Sequence, residues 1–396
     1  MTLPLEGLRI LDLTWSLAGP YCTMLLGDMG ADVIKIERPG TGDISRYWGP
    51  LHEHALSAYF MQFNRNKRSL ALNLKDAKGK RIFLELVKRS DVVLENFRPG
   101  VMQKLGLSYE DVKGVNPRIV YCSISGFGQE GPYRTYAAFD VVIQGMAALL
   151  QPYFANTEEP KRMEPVYPAT SFADMVTGLS TAFAILVALR HRDNKGIGQY
   201  IDMSMLDTMT SFNEYFSVHF AGGDWWITGW GPNGSFQVKD GYIMISAGTD
   251  DLFHKLCSAI GAEYLMNDPR FATYQEREKR ENQKVLMPII RRILSSTRKD
   301  EILEKLRAAE VPCGPVNTLD DLPSDPQLSL RRMILEIVHP VSNEKIKIPG
   351  FPIKSSDIPA DIRLQPPLLG QHTSEILAEL GYRQSEINEL KGEGVI

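Results

Sequence analysis

The first 130 residues alternate short apolar runs with amphipathic stretches, and glycine, proline and polar residues punctuate every junction. "LRILDLTW" (Leu8 to Trp15) reads as a strand from its apolar content, "AGPYCTMLLGDMG" as a helix opened by Gly19-Pro20, and "ADVIKIERP" as a second strand ending at Glu37-Arg38. The pattern then repeats: strand "RSLALNL", helix "DAKGKRIFLELVKRS", strand "DVVLENF", helix "SYEDVKGVN" and strand "RIVYCSISGFG". Strands alternating with helices predict an α/β fold with a mostly parallel sheet. The strands end in "ERPGTGD", "ENFRPG" and "SGFGQEGP", and ligands of open α/β sheets collect outside such carboxyl ends.

Further along, the spacing predicts a buried helix from Asp174 to about Arg192. The polar turn "DNKGIG", the strand "QYIDMSM" and a helix running towards His219 follow it. The texture changes at "FAGGDWWITGWGPNGSF", beyond which lie a strand, "GYIMISAG", and charged amphipathic helices from Asp250 to about Ala309. From Met333 the chain returns to strands and turns, "ILEIVHP" and "EKIKIPGFPIK", and closes with the helix "SEILAELGY". These shifts predict a large domain of residues 1–224 with 326–396 and a smaller one of 225–325.

Composition narrows the function. A 396-residue chain with 43% hydrophobic residues, 23% charged residues and a net charge of -4 has the make-up of a soluble globular protein without the basic excess of a nucleic-acid binder. The N-terminus lacks a basic region followed by an apolar stretch, and the strongest apolar run, Ala182 to Leu189, is short for a bilayer, so a cytoplasmic protein that does not bind membranes is expected. Cys22, Cys122, Cys257 and Cys313 are widely spaced, without the pairing of a zinc site or a disulfide framework. The "HEH" at 52–54 lacks metal-ligand spacing, so no metal or redox cofactor is expected.

Asp174, in "PATSFADMVTG", stands where a proline-punctuated loop meets an apolar helix. On its own it reads as an N-cap, accepting a hydrogen bond from the first turn. The first strand–turn–helix–strand unit imitates a dinucleotide-binding fold, with Glu37 in the place of the ribose ligand. However, its turn reads Leu17-Ala18-Gly19-Pro20, so G-x-G-x-x-G is absent and Pro20 removes an N–H that a pyrophosphate would use. Walker A, G-x-S-x-G and H-E-x-x-H sequences are also absent, which disfavours NTPase, α/β-hydrolase and zinc-protease chemistry.

Several blocks taken in order, "PLEGLRILDLTWSLAGPYCTMLLGDMGADVIKIERPGTGD", "NRNKRSLALNLKDAKGK", "DVVLENFRPGV", "NPRIVYCSISGFGQEGPY", "VPCGPVNTLDDLPSDPQL" and "LLGQHTSEILAELGY", strongly resemble the family III CoA-transferases. This is the family of formyl-CoA transferase and carnitine CoA-transferase, with α-methylacyl-CoA racemase as a related branch. The resemblance implies a large Rossmann-like domain, a smaller inserted α+β domain and an interlocked homodimer. It implies that Asp174 is a nucleophile that forms aspartyl anhydride and aspartyl-CoA intermediates. Carried over by position, it puts CoA contacts at Ala18, Arg38, Leu72, Lys75, Asn96, Phe97 and Lys104, and substrate contacts at Ser16, Leu17, Phe139, Asp140 and Gly248. The glycines of "SAGTDD" and of "WSLAGP" are candidate oxyanion donors.

The departures are informative. The racemase branch carries His-Asp where this chain has Phe139-Asp140, so the imidazole base for removing an α-proton is missing. Formyl-CoA transferase has Gln at the position of Leu17 and a longer glycine-rich loop than Gly222 to Gly234, which argues against formate and oxalate as the dedicated pair. Leu17 with Trp225, Trp226 and Trp230 would suit a larger acid, although the tryptophans equally suit packing at a domain junction. Three activities stay open: an acyl-CoA:carboxylate CoA-transferase drawing on a donor such as succinyl-CoA, an acyl-CoA racemase or epimerase, and a non-catalytic CoA-binding subunit of a heteromer.

Overall fold

The computed structural model describes residues 3–51, 54–150, 168, 170–214, 216–221, 231–356, 358 and 361–396. Six strands, β1 (Arg9–Asp12), β2 (Asp32–Glu37), β3 (Lys67–Ala71), β4 (Val92–Glu95), β5 (Val120–Ser125) and β6 (Tyr200–Ser204), form one sheet. Their order is β3-β2-β1-β4-β5-β6, and every neighbouring pair is parallel. The inner strands are mostly apolar because both faces are covered, whereas the edge strands β3 (Lys67-Arg68-Ser69-Leu70-Ala71) and β6, with Tyr200 and Asp202 exposed, are not. In β4, Val92 and Leu94 enter one core and Val93 the other; in β5, Val120, Cys122 and Ile124 oppose Tyr121.

The helices that matter for the site are α1 (Ala18–Asp28), α2 (Ala58–Phe63), α3 (Ala77–Val87), α4 (Val101–Leu105), α5 (Tyr109–Val115), α6 (Asp140–Met146), α7 (Phe172–Lys195) and α8 (Met205–Ser211). Residues of α1, α6, α7 and α8 cover one face of the sheet. Residues of α3 and α5 cover the other, together with two helices from the end of the chain, Thr373–Glu379 and Gln384–Gly392. Local chemistry starts several of these helices: Asp76 caps α3 through the Lys78 N–H, and Ser108 with Asp111 forms a capping box on α5.

Two expectations need correction. The chain does not close on "SEILAELGY": Gln384–Gly392 is a further helix, whose Ile387 and Leu390 complete the core on the α3 side. Helix α7 starts earlier than expected and is not buried all round, since Leu179, Phe183 and Val187 are 54%, 70% and 51% exposed. Its length and its mean hydropathy of 1.8 would allow it to cross a membrane, which the apolar run from Ala182 to Leu189 alone did not suggest. Its inner face, however, belongs to the sheet core through Val176, Ile185 and Leu189.

The chain divides into two compact units, the second spanning Glu214–Gln327. That unit has an antiparallel sheet of β7 (Asn233–Val238), β8 (Gly241–Ser246) and β9 (Cys313–Pro315), packed with helices Asp250–Ala259, Arg280–Ser295 and Lys299–Ala308 around its own core. A hairpin of β10 (Ile334–Val338) and β11 (Lys345–Pro349) belongs to the first unit.

Candidate functional site

Asp174 is not the N-cap of its helix. It is the third residue of α7, and the N-cap, Ser171, makes no side-chain capping bond. A carboxylate from another element does that work: Asp140, at the start of α6, accepts from the Asp174 N–H through Oδ1 at 3.1 Å and from Gln144 Nε2 through Oδ2 at 2.6 Å. The N–H of Ala18, the first residue of α1, faces the Asp174 carboxyl and favours its charged form. Each acid thus sits at the N-terminus of a neighbouring helix, where unpaired N–H groups and the helix dipole favour negative charge.

The Asp174 carboxyl is shifted upward to about 7. Burial is the main cause, the adjacent Asp140 adds to it, and the Ala18 N–H partly offsets both. A carboxylate raised to this range, short of solvent and facing a backbone N–H, is equipped to act as a nucleophile at neutral pH.

The close approach of α1 and α7 depends on Gly178, one turn beyond Asp174, where an added Cβ would lie 2.5 Å from the Ala18 carbonyl oxygen. Gly19 has a similar role inside the turn, because a Cβ there would lie 2.3 Å from Thr14 Cβ. Pro20 suits the first turn of α1, where its missing N–H costs no helical bond.

The C-terminal ends of β1 and β2 wall a cavity of about 900 Å³. Leu13, Thr14 and Trp15 form one side and the loop from Arg38 to Tyr47 another; Leu72 to Lys75, Phe97, Val101, Leu105 and Gly394 complete it. The loop after β2 is rigid because Arg46 is buried and forks onto Glu37, with Nε to Oε2 and Nη2 to Oε1 both at 2.7 Å. The same guanidinium lies 3.8 Å from the Phe60 ring centroid and donates to the carbonyls of Ala55 and Pro367. Glu37 also accepts from Ser69 Oγ and the Asp43 N–H, so the acid that imitates a ribose ligand in sequence is already occupied.

Of the expected CoA contacts, Arg38, Leu72, Lys75 and Phe97 all line this cavity. Two exposed cations beside apolar walls fit a ligand with phosphates at one end and a thioester-bearing arm at the other. Lys104 is exposed on α4 and is not among the lining residues, which include Val101 and Leu105 of the same helix. Ala18 is buried and supplies the N–H to Asp174. Asn96 pairs with the Trp15 backbone, accepting from its N–H at 3.0 Å and donating to its carbonyl at 2.8 Å.

Of the expected substrate contacts, Phe139 is exposed and lines a smaller cavity of about 130 Å³ with Trp15, Asn96, Phe97 and Arg134, among others. Asp140 is buried against α7. Ser16 holds a left-handed backbone conformation with φ 69°. Leu17 is only 3% exposed and lines neither cavity, so it gives no support to a larger acyl pocket. Gly248 lies in the second unit, where the buried Arg277 donates to its carbonyl at 3.2 Å and pairs with Asp250 at 2.6 Å. Trp225, Trp226 and Trp230 lie outside the described residues. Among the described residues no cluster of His, Cys, Asp or Glu is placed to hold a metal ion.

Sequence reasoning missed Asp43, Tyr47, Asn73 and Gly394 as cavity walls. Asp43 had a local signal, because it caps a short 3-10 helix through the Ser45 N–H. Gly394 had none: it is brought in where the Asn73 N–H bonds the Val395 carbonyl at 2.8 Å, across more than 300 residues of chain.

Comparison with known proteins bears on this arrangement directly. The chain is 38% identical over 405 residues to the succinyl-CoA:glutarate CoA-transferase of Mus musculus, covering 99% of this chain and 90% of that one. It is 36% identical over 406 residues to the succinyl-CoA–L-malate CoA-transferase beta subunit of Chloroflexus aurantiacus, covering 100% and 98%. A crystal structure of a CAIB/BAIF family protein from Brucella suis superposes with a TM-score of 0.82 at 36% identity, covering 96% of this chain and all of that one. The pattern of CoA-transferase family III matches residues 5–373. A match that runs through the sheet, the cavity loops and the Asp174 helix makes this chain a member of CoA-transferase family III, an enzyme that moves coenzyme A between an acyl-CoA and a carboxylic acid.

Proposed function

We propose that the transfer runs through Asp174, with succinyl-CoA as donor and a small dicarboxylic acid as acceptor. The observation that carries the mechanism is the partly buried Asp174 carboxylate at the α1 N-terminus, beside the turn that walls the large cavity. The names of the glutarate and malate relatives support the substrate class.

In the first step an Asp174 carboxylate oxygen adds to the thioester carbonyl and the carbon–sulfur bond breaks, giving a mixed anhydride and CoA thiolate. The thiolate attacks the Asp174 carbonyl and releases the donor acid as its carboxylate, leaving an aspartyl-CoA thioester. The acceptor carboxylate then attacks this thioester and frees the thiolate again. The thiolate takes the acceptor's acyl group from the resulting anhydride and restores the Asp174 carboxylate. No proton is gained or lost over the cycle. Charge accumulates on a carbonyl oxygen at each addition, and backbone N–H groups such as those at the start of α1 are the donors suited to it. The missing His beside Asp140 disfavours racemisation, which needs a base for the α-proton.

Mass spectrometry after mixing with succinyl-CoA, with hydroxylamine in parallel, tests the mechanism. The expected result is a CoA adduct or hydroxamate on Asp174 that Asp174→Ala abolishes together with transfer, a loss of at least about 10³-fold. Normal transfer by Asp174→Ala would refute it.

We also propose that the chain works as a homodimer. Leu179, Phe183, Leu186 and Val187 form an exposed apolar stripe on α7, with Val141 and Met146 of α6 also exposed. Apolar surface on this scale marks an interface. Since one relative is a beta subunit, transfer by this chain purified alone separates the homodimer from a heteromer.

A further inference from the structure

The turn that joins β1 to α1 is held by side chains at nearly every polar backbone position. The Thr14 N–H donates to Asp12 Oδ1 at 2.9 Å, and the Thr14 carbonyl accepts from Lys35 Nζ at 2.8 Å. The Trp15 N–H and carbonyl are both taken by Asn96, and the Ser16 N–H donates to Asp43 Oδ1 at 3.0 Å. Five backbone groups on three successive residues are therefore bound by four side chains, from the end of β1, the middle of β2, the loop after β2 and the loop after β4.

Two of the holders are themselves fixed. Lys35 and Asp43 pair at 2.9 Å with both side chains fully buried. The arrangement also keeps Ser16 at φ 69°, a left-handed conformation that strains a non-glycine residue and persists only where its surroundings impose it. Two residues beyond Ser16 lies Ala18, whose N–H meets the Asp174 carboxylate.

A turn on a protein surface usually leaves such groups to water. Here strained backbone and dedicated side chains converge next to the reacting group, as pre-organisation requires. We propose that Asn96 and Asp43 are positioning residues for the nucleophile: they clamp residues 14–16 so that the Ala18 N–H holds the Asp174 carboxylate in the orientation that attacks the thioester. The inference rests on Asp174 being the nucleophile. It gives Asn96, which the family resemblance makes a CoA contact, a role in the turn as well, because its two bonds to Trp15 use one amide hydrogen and one carbonyl lone pair and leave one of each.

The clamp and the CoA-contact roles separate in Asn96→Ala. A positioning role lowers the rate of adduct formation at saturating succinyl-CoA by about 10- to 100-fold, while the Kd for free CoA stays within about twofold and the unfolding temperature is little changed. Asn96→Asp keeps an acceptor for the Trp15 N–H and loses the donor to its carbonyl, so its rate should fall between the two and serves as the second variant if Asn96→Ala folds poorly. An unchanged saturated rate, or a loss confined to CoA affinity, would overturn the clamp. If the wild-type protein forms no adduct at Asp174, the mechanism itself fails and the clamp with it.

Discussion

Asp174 and Asp140 form a coupled pair in which each acid depends on a partner's backbone. Asp140 supports α7 by accepting the Asp174 N–H, and the same proximity disfavours the ionised form of Asp174. The reacting form is the carboxylate, so adduct formation should rise with pH through an acid limb near 7. Asp140→Asn keeps an acceptor oxygen for the Asp174 N–H and removes the negative charge. Ionisation of Asp174 then becomes easier, and the limb should move to lower pH, measured as single-turnover adduct rates between pH 5 and 8. A limb that moves upward or stays in place would show that Asp140 does not set the charge state of Asp174. In sequence Asp174 was visible as an acid at a helix start, and the family resemblance placed Ala18 and Asp140 in the site, but their pairing with Asp174 was not visible, because they come from segments with no local relation to it.

At the level of elements, the site depends on how closely α1 and α7 pack. Alanine in place of a mid-helix glycine usually stabilises, by about 1 kcal/mol, because glycine loses more backbone entropy on folding. Gly114, the next-to-last residue of α5, has open space around it and should show the same stabilising sign, reduced by its place near the helix end. Gly178→Ala should do the reverse, since its methyl would meet the Ala18 carbonyl and push the helices apart, costing about 1–3 kcal/mol. Urea denaturation of the two variants gives opposite signs if the contact is as tight as described. The displaced Ala18 N–H should also lower the adduct rate of Gly178→Ala. The helices themselves were legible from their apolar spacing and caps, whereas the reason for Gly178 was not, because an approach between helices more than 150 residues apart leaves no periodic signal.

For the whole molecule, the uncovered stripe on α7 predicts the state of assembly. Light scattering should give about twice 44.5 kDa for the wild-type chain, and Leu179→Glu with Phe183→Glu should shift it towards 44.5 kDa. A wild-type monomer would leave the stripe without its proposed partner. The parallel sheet, its rim of glycine-rich loops and the family itself were readable from the sequence by itself. Strands covered on both faces are mostly apolar, their connections must turn at the rim, and six sequence blocks keep their order along the chain. The tertiary structure alone decided which charges are buried. Asp12, Lys35, Asp43, Arg46 and Lys67 read in sequence as ordinary polar positions, yet all five are buried, with Lys67 paired to Asp12 at 3.1 Å. Burial lowers Lys67 to about 8 even with Asp12 opposing it, and Asp12 stays well below the usual carboxylate range because Lys67 and Lys35 outweigh its own burial. Local sequence sets periodicity and turns through neighbours a few residues apart, but a buried charge is tolerated only through partners that folding brings from elsewhere in the chain.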